Sequence, residues 1–481
     1  MPSPTIVLLP MWAPGHFSSM LEAGKRLLFC STGGTAASSL TVLVTPPPMA
    51  ASSDAAGLHV HGEMASGDGI VFHHLPAIEH GTDLVHPSEY IRLYAPHVKE
   101  TIVGLATPVA AVVVDFFGTP LLDVAHDLAV PAYVYFASTG ATLALMLRLP
   151  AMQEELASRL REEGGAVDVP GMPPVPVASM PSPEINDYAW FAYYGRRFLE
   201  ARGIVVNTAA ELEPGVLASI ADGRCTPGGR APMVYPIGPV LSPKPRADAR
   251  SPPSAQECIR WLDAQPPASV VFLCFGSMGW MHAEQAREVA AGLERSEHRF
   301  LWVLRGPPPA GGSSQNPTDV ANLGDLLPHG FLERTKAKGV VWRSWAPQLE
   351  ILAHAAVGGF VTHCGWNSVL ESLWHGVPMA PWPMYAEQPL NAFELVACMG
   401  VAVELRVCTG RDDNFVEAAE LERAIRSLMG GSSEEGRKAR EKARKMKAAC
   451  RKAVEKGGSA YAAMQALVQD MLESHVPGTR V

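Results

Sequence analysis

The sequence predicts an α/β protein of two similar halves, each a parallel sheet with helices on both faces. Three observations carry this. Apolar runs that lack in–out alternation recur along the chain, each followed by apolar residues at helical spacing, which is the pattern of strands buried on both faces. The texture breaks at LSPKPRADARSPPS (241–254), a stretch rich in proline, serine and charge that reads as an interdomain linker. Beyond it the strand-then-helix pattern starts again. A chain of 481 residues also suits more than one domain, since about 150 residues per domain is the common size.

In the first half, TIVLLPM (5–11) is a short apolar run followed by a loop containing Gly15. Phe17, Met20, Leu21, Gly24, Leu27 and Leu28 then recur at helical spacing. Similar signals follow at Leu40–Val44, at Ala111–Asp115 before a helix over Leu121–Leu128, and at Ala132–Phe136. In the second half the apolar runs are SVVFLCFGS (269–277), RFLWVLR (299–305), GVVW (339–342) and GGFVTHCG (358–365). Residues 308–327 read as a mobile surface loop. The basic segment 436–456 reads as a solvated helix with a narrow buried stripe of Ala439, Ala443, Met446, Cys450 and Val454, ended by Gly457–Gly458. A last amphipathic helix covers Tyr461–Leu472. The predicted domains are 1–240 and 256–460, joined by a linker over 241–255, with 461–481 packing back on the first.

Composition narrows the function. Hydrophobic residues make up 47% and charged residues 18%, enough apolar material for substantial cores. The net charge of −9 argues against a general attraction to nucleic acid or anionic membranes. The apolar start ends at Pro10, too short for a signal or membrane segment, so no membrane insertion is expected. Eight scattered cysteines without a CxxC pair read as reduced thiols of a cytoplasmic protein rather than disulfides or a zinc site. A monomer is expected.

The informative stretch is WAPQLEILAHAAVGGFVTHCGWNSVLESLWHGVPMAPWPMYAEQ (345–388). Val357–Thr362 reads as a strand, His363–Gly365 as a tight turn and Asn367–Trp374 as a helix. Asn367 and Ser368 then sit at a helix N-terminus, where backbone N–H groups and the helix dipole favour an anion such as phosphate. Asn and Ser are also ordinary helix caps, and His363 reads equally as an anion contact or a strand-end histidine. Glu371, one turn on, suits the paired hydroxyls of a ribose or plain solvent exposure. In the first half, His16 follows the first predicted strand and Asp115 ends the run Ala110–Val114. Both lie at the strand edge where open α/β sheets hold ligands.

The 345–388 stretch as a whole closely resembles the signature box of plant small-molecule UDP-sugar glycosyltransferases. VNTAAELEP (206–214), PIGP (236–239), RWLDAQP (260–266), FLCFGSMG (272–279) and FLWVLR (300–305) resemble that family too, so the resemblance covers essentially the whole chain. It implies the GT-B architecture: two Rossmann-like domains whose parallel sheets face across a crevice. It implies that Trp345 stacks on uracil, with Ala346 and Gln348 bonding the nucleoside, and that Glu371 holds the ribose. It assigns the diphosphate to His363, Gly365, Asn367, Ser368 and Ser277, and the sugar to Trp366, Glu387 and Gln388. A final Gln usually accompanies glucose in the family. Ser138 and Thr139, in FASTG, are both candidates for a sugar hydroxyl.

The family's catalytic His–Asp pair falls on His16 and Asp115, implying inverting transfer from UDP-glucose. The segment Phe17–Met20 lacks the proline that many relatives carry there. No cofactor or metal is expected, since no DxD-type carboxylate pair is present. Aromatic residues of DYAWFAYY (187–194), notably Tyr188, Trp190 and Phe191, suit a planar phenolic acceptor or plain helix packing. The branch resembled points to flavonoids, with O- or C-transfer both open. A UDP-sugar epimerase or hydrolase of the same architecture, or transfer to a terpenoid or hormone, is the alternative. The absence of GxGxxG after the first strand argues against an NAD enzyme.

Overall fold

The computed structural model describes residues 4–30, 39–48, 69–78, 86–159, 164–181, 188–241, 253–308, 317–320, 322–408, 414–431 and 433–473. Most of the expected linker, 242–252, lies outside them, as does 309–316 of the expected surface loop. The chain forms two compact units. The first comprises Met1–Met172, Asp187–Ser242 and Lys452–Val481, the second Pro173–Asn186 and Pro243–Arg451.

The first unit holds a seven-stranded sheet: β1 Thr5–Leu9, β2 Ser39–Val44, β3 Ile70–His74, β4 Val109–Asp115, β5 Ala132–Phe136, β6 Gly203–Val206 and β7 Val234–Pro236. The strand order is β3-β2-β1-β4-β5-β6-β7, parallel throughout. Every residue of β1 is buried, as the unalternating run requires. The helices that matter for function are α1 Pro14–Cys30, α2 Pro87–Arg92, α3 Gly140–Arg159 and α4 Tyr188–Phe198.

The second unit holds a five-stranded parallel sheet: β8 Val270–Cys274, β9 Arg299–Val303, β10 Gly339–Trp342, β11 Val357–Thr362 and β12 Met379–Pro381, in the order β10-β9-β8-β11-β12. Its functional helices are α5 Trp366–His375 and α6 Gln388–Phe393. Part of the segment expected to be loop is ordered, because Thr318–Asp319 pairs antiparallel with Arg305–Gly306. The second unit also takes 173–186, whose short helix Val177–Ser179 lies against α6.

Two C-terminal helices follow, α7 Glu434–Val454 and α8 Ser459–Glu473. The division between the units falls between Arg451 and Lys452, in the last turn of α7, rather than at 460. α8 belongs to the first unit: Met464, Leu467, Val468 and Met471 join the core beside β1, β2 and β4. Asp470 pins it, accepting from Tyr133 Oη at 2.6 Å, Tyr235 Oη at 3.0 Å and Arg202 Nε at 3.0 Å. No described helix is long and apolar enough to cross a membrane.

Candidate active site

An open α/β sheet takes ligands outside the carboxyl ends of its strands, at the point where strand order reverses. In the first sheet that point lies between β1 and β4. β1 leads into α1, whose first turn carries His16, and β4 ends on Asp115. His16 Nδ1 lies 2.8 Å from Asp115 Oδ2. A carboxylate only accepts, so Nδ1 carries the proton and Nε2 is the basic nitrogen. The other oxygen of Asp115, Oδ1, accepts from Phe117 N at 3.0 Å. The aspartate side chain is fully buried while the histidine is 25% exposed. The pair therefore presents a base to the surface and keeps its counter-charge inside. Phe116 and Phe117 flank the imidazole, each with its ring centroid 5.5 Å away.

The structure separates the two hydroxyl candidates after β5. Thr139 is buried, and its hydroxyl accepts from Thr142 N and donates to Thr142 Oγ1, both at 2.9 Å, so it caps α3. Ser138 remains as the sugar-hydroxyl candidate. The same helix start is held by Glu213, whose carboxylate accepts from Gly140 N at 2.9 Å and Ala141 N at 2.8 Å. That gives one glutamate of the VNTAAELEP segment a structural task.

The aromatic segment divides in the same way. Phe191 is 1% exposed and packs in the core, so it offers no surface to an acceptor. Tyr188 is half-buried. Trp190 stacks on His86, a residue sequence reading passed over, with centroids 3.7 Å apart and planes 7° from parallel. His86 Nδ1 accepts from Ser88 N at 3.2 Å, capping α2. Phe117 lies 6.0 Å from His86, so an aromatic wall runs from His16 through Phe117 and His86 to Trp190. His is a rare helix cap, and only the proline after it, Pro87, hinted at a helix start.

The second sheet reverses order between β8 and β11. The turn His363–Gly365 joins β11 to α5. The His363 ring is buried between two glycines. A Cβ on Gly276 would sit 2.6 Å from its Nε2, and one on Gly365 2.5 Å from it. Gly276 also has φ +75, which glycine adopts without cost. Burial pushes the His363 pKa down to about 4, so the ring is neutral at physiological pH. Its Nδ1 is buried with no hydrogen-bond partner among the described residues. A buried orphan nitrogen beside a helix N-terminus is a feature that a bound anion's hydrogen bonds explain. Ser277 is exposed next to this cradle.

Asn367 and Ser368 lie in the first turn of α5, which starts one residue earlier than predicted, at Trp366. The Trp366 side chain is buried, 2% exposed. Gln348 Nε2 donates to Ser368 Oγ and to Glu371 Oε2, both at 2.8 Å. Burial pushes the Glu371 carboxyl up to about 7, against the lowering effect of that bond.

Trp345 is 41% exposed, an open aromatic face, and its carbonyl accepts from Trp342 Nε1 at 3.1 Å. Ala346 is buried, and its carbonyl accepts from Gln348 N at 2.8 Å. Glu387 is half-buried at the start of α6. Gln388 is buried, and its Oε1 accepts from Met384 N at 2.9 Å and Tyr385 N at 3.1 Å, which fixes the amide and leaves Nε2 as its donor.

Asp123, His126 and Glu200 meet on the surface, but Arg197 already pairs with both carboxylates. That group is an ion-pair cluster rather than a metal centre.

Comparison with known proteins identifies the family. Residues 246–433 match the family model described as UDP-glucoronosyl and UDP-glucosyl transferase. The chain is 56% identical to malvidin galactosylase UGT88C3 of Oryza sativa subsp. japonica, over 98% of each chain. It is 38% identical to anthocyanidin 5,3-O-glucosyltransferase of a Rosa hybrid cultivar, over 96% of this chain and 98% of the relative. Among solved structures, a transferase from Siraitia grosvenorii in complex with UDP superposes with a TM-score of 0.84 at 37% identity. That match covers 97% of this chain and 99% of the other. The fold is GT-B, and the chain belongs to the plant UDP-dependent glycosyltransferase family.

Proposed function

We propose that this protein transfers a hexose from a UDP-hexose to a phenolic hydroxyl of a flavonoid-type acceptor, giving a β-O-glycoside with inversion. The observation that carries the reading is the His16–Asp115 pair at the switch point of the first sheet, 2.8 Å apart with the carboxylate buried. A phenol has a pKa near 10 and an imidazole near 6.5, so full ionisation before attack is uphill. His16 Nε2 instead takes the proton as the phenolic oxygen bonds to C1 of the sugar and the C1–O bond to UDP breaks. Asp115 stabilises the imidazolium so formed. The negative charge arriving on UDP meets the α5 N-terminus and His363, a polar environment fixed in advance. The reading requires no metal.

The acceptor class is supported by the aromatic wall from Phe117 to Trp190 and by the rice and rose relatives, named for malvidin and anthocyanidins. For the donor, Gln388 supports glucose, the sugar that usually accompanies a final Gln. Galactose is the second reading, because the relative at 56% identity is named a galactosylase.

The test gives purified protein a chelator, an anthocyanidin or flavonol, and equal UDP-glucose and UDP-galactose in separate reactions, read by mass spectrometry and by the anomeric configuration of the product. The expected result is one hexose added as a β-O-glycoside, with a higher kcat/KM for UDP-glucose. Preference for UDP-galactose overturns the donor assignment alone. Sugar release or epimerisation without acceptor overturns transfer itself.

A further inference from the structure

Cys364 is the middle residue of the His363–Gly365 turn and stands at φ +66. The left-handed region is disfavoured for any residue with a Cβ, so the surroundings must hold this backbone in place. Its own neighbours help weakly: Cys364 N donates to Thr362 Oγ1 at 3.3 Å. The stronger hold comes from a different helix. Asn391, buried on α6, donates from Nδ2 to the Cys364 carbonyl at 2.9 Å. Because that partner is a carbonyl, the amide orientation is fixed. Its Oδ1 is then buried with no partner among the described residues. An orphan acceptor of this kind is costly, and an apolar side chain of similar volume would avoid it. The fold keeps the amide all the same, which points to a task for its N–H.

We propose that Asn391 is a positioning residue for the donor. It holds the Cys364 carbonyl so that the turn keeps the His363 ring and the α5 N-terminus aimed at the diphosphate. Asn391 lies three residues beyond Gln388 on α6, so the same short helix carries the sugar contact and the clamp on the phosphate turn. One hydrogen bond thus couples the sugar side of the donor site to its phosphate side. The inference rests on the donor site assigned above.

The test titrates UDP into the full-length protein by calorimetry and measures steady-state kinetics with a fixed phenolic acceptor. Asn391→Ala is expected to weaken UDP about tenfold and to raise donor KM alike, with acceptor KM unchanged; tenfold corresponds to about 1.4 kcal/mol. Asn391→Asp, nearly the same shape but with a carboxylate facing a carbonyl, is expected to lose as much or more, and it serves if the alanine variant folds poorly. Glycine takes the left-handed region freely, so the loss from Asn391→Ala should shrink in a Cys364→Gly background. Either variant binding UDP like the unmodified protein overturns the proposal, as does an equal loss in both backgrounds. A lower melting temperature with unchanged UDP affinity marks a merely structural role and overturns it too. Failure of the unmodified protein to bind UDP instead overturns the donor site itself.

Discussion

The two sheets reverse their strand order at equivalent places, and each puts a histidine there, yet the histidines are built for opposite tasks. His16 is partly exposed and its Nδ1 faces a buried carboxylate that also accepts a backbone N–H. Accepting a proton completes an ion pair. His363 is buried between glycines, faces no carboxylate among the described residues, and is pushed down to about 4 by burial. Accepting a proton there would leave a charge in a dry cradle. The two switch points therefore hold their rings on opposite sides, a carboxylate-paired ring after β1 in the first unit and a neutral ring after β11 in the second. The difference comes from the strand end that each ring meets. β4 closes on Asp115, whereas the segment after β8 opens on Gly276 and Ser277.

The most direct way to break this comparison is to remove each ring. His16→Ala is expected to lower kcat by roughly 10²–10⁴-fold, the usual worth of a positioned general base, and to leave UDP affinity unchanged. Asp115→Asn should act through the tautomer: an amide can donate to Nδ1, which shifts the proton to Nε2 and removes the base. His363→Ala should do the reverse and weaken UDP binding first. Stopped kinetics paired with UDP titration separate the two profiles. If both histidine variants lose UDP affinity and retain the same residual kcat, the division of labour is wrong.

A smaller effect tests the cradle. Gly276→Ala sets a Cβ against the His363 ring and strains a residue at φ +75. The ring cannot stay where it is, so UDP affinity should fall by roughly ten- to a hundredfold, with acceptor KM little changed. A UDP affinity equal to that of the unmodified protein would mean that the ring's place is immaterial.

Much of this contrast was legible in the sequence, and its limits have physical causes. β11 and the turn after it were readable because an apolar run meets Cys364–Gly365 abruptly, and β5 and β10 matched their apolar runs. β3 was missed because it is half-exposed and ends in two histidines, and β12 because three residues ending in proline carry no period. At the site, the identities of the chemical groups were legible but their burial was not. Thr139, Phe191 and Trp366 are the residue types a binding site needs. A bond to nearby Thr142 makes the first a cap, and packing against distant parts of the chain buries the other two. His86 escaped for the converse reason: its stacking partner, Trp190, lies far along the sequence.

Glu371 sharpens the comparison by adding a titration that belongs to the donor unit alone. Its carboxyl is pushed up to about 7 by burial, so below that pH the empty site holds it neutral, next to the Gln348 amide. Ribose hydroxyls donate hydrogen bonds, and an ionised carboxylate accepts them better than a neutral acid does. UDP therefore favours the ionised form, lowers the pKa on binding, and releases a proton when it binds below pH 7. By linkage, UDP affinity should weaken about tenfold as pH falls from about 8 to about 6. For the ligand-free protein the sign is opposite. A carboxyl raised in the fold costs nothing below its unfolded pKa, and its penalty grows as pH rises towards the folded value, so the melting temperature should drift down over that window. Glu371→Gln removes the carboxyl's share of both trends, because a neutral amide has nothing to titrate, and leaves in the affinity the share of the terminal phosphate of UDP, which ionises at about pH 6. Calorimetry in buffers of different ionisation enthalpy counts the proton directly. Its absence, with affinity flat across the range, would show that the ribose does not engage this carboxylate, leaving Trp345, Ala346 and Gln348 to hold the nucleoside.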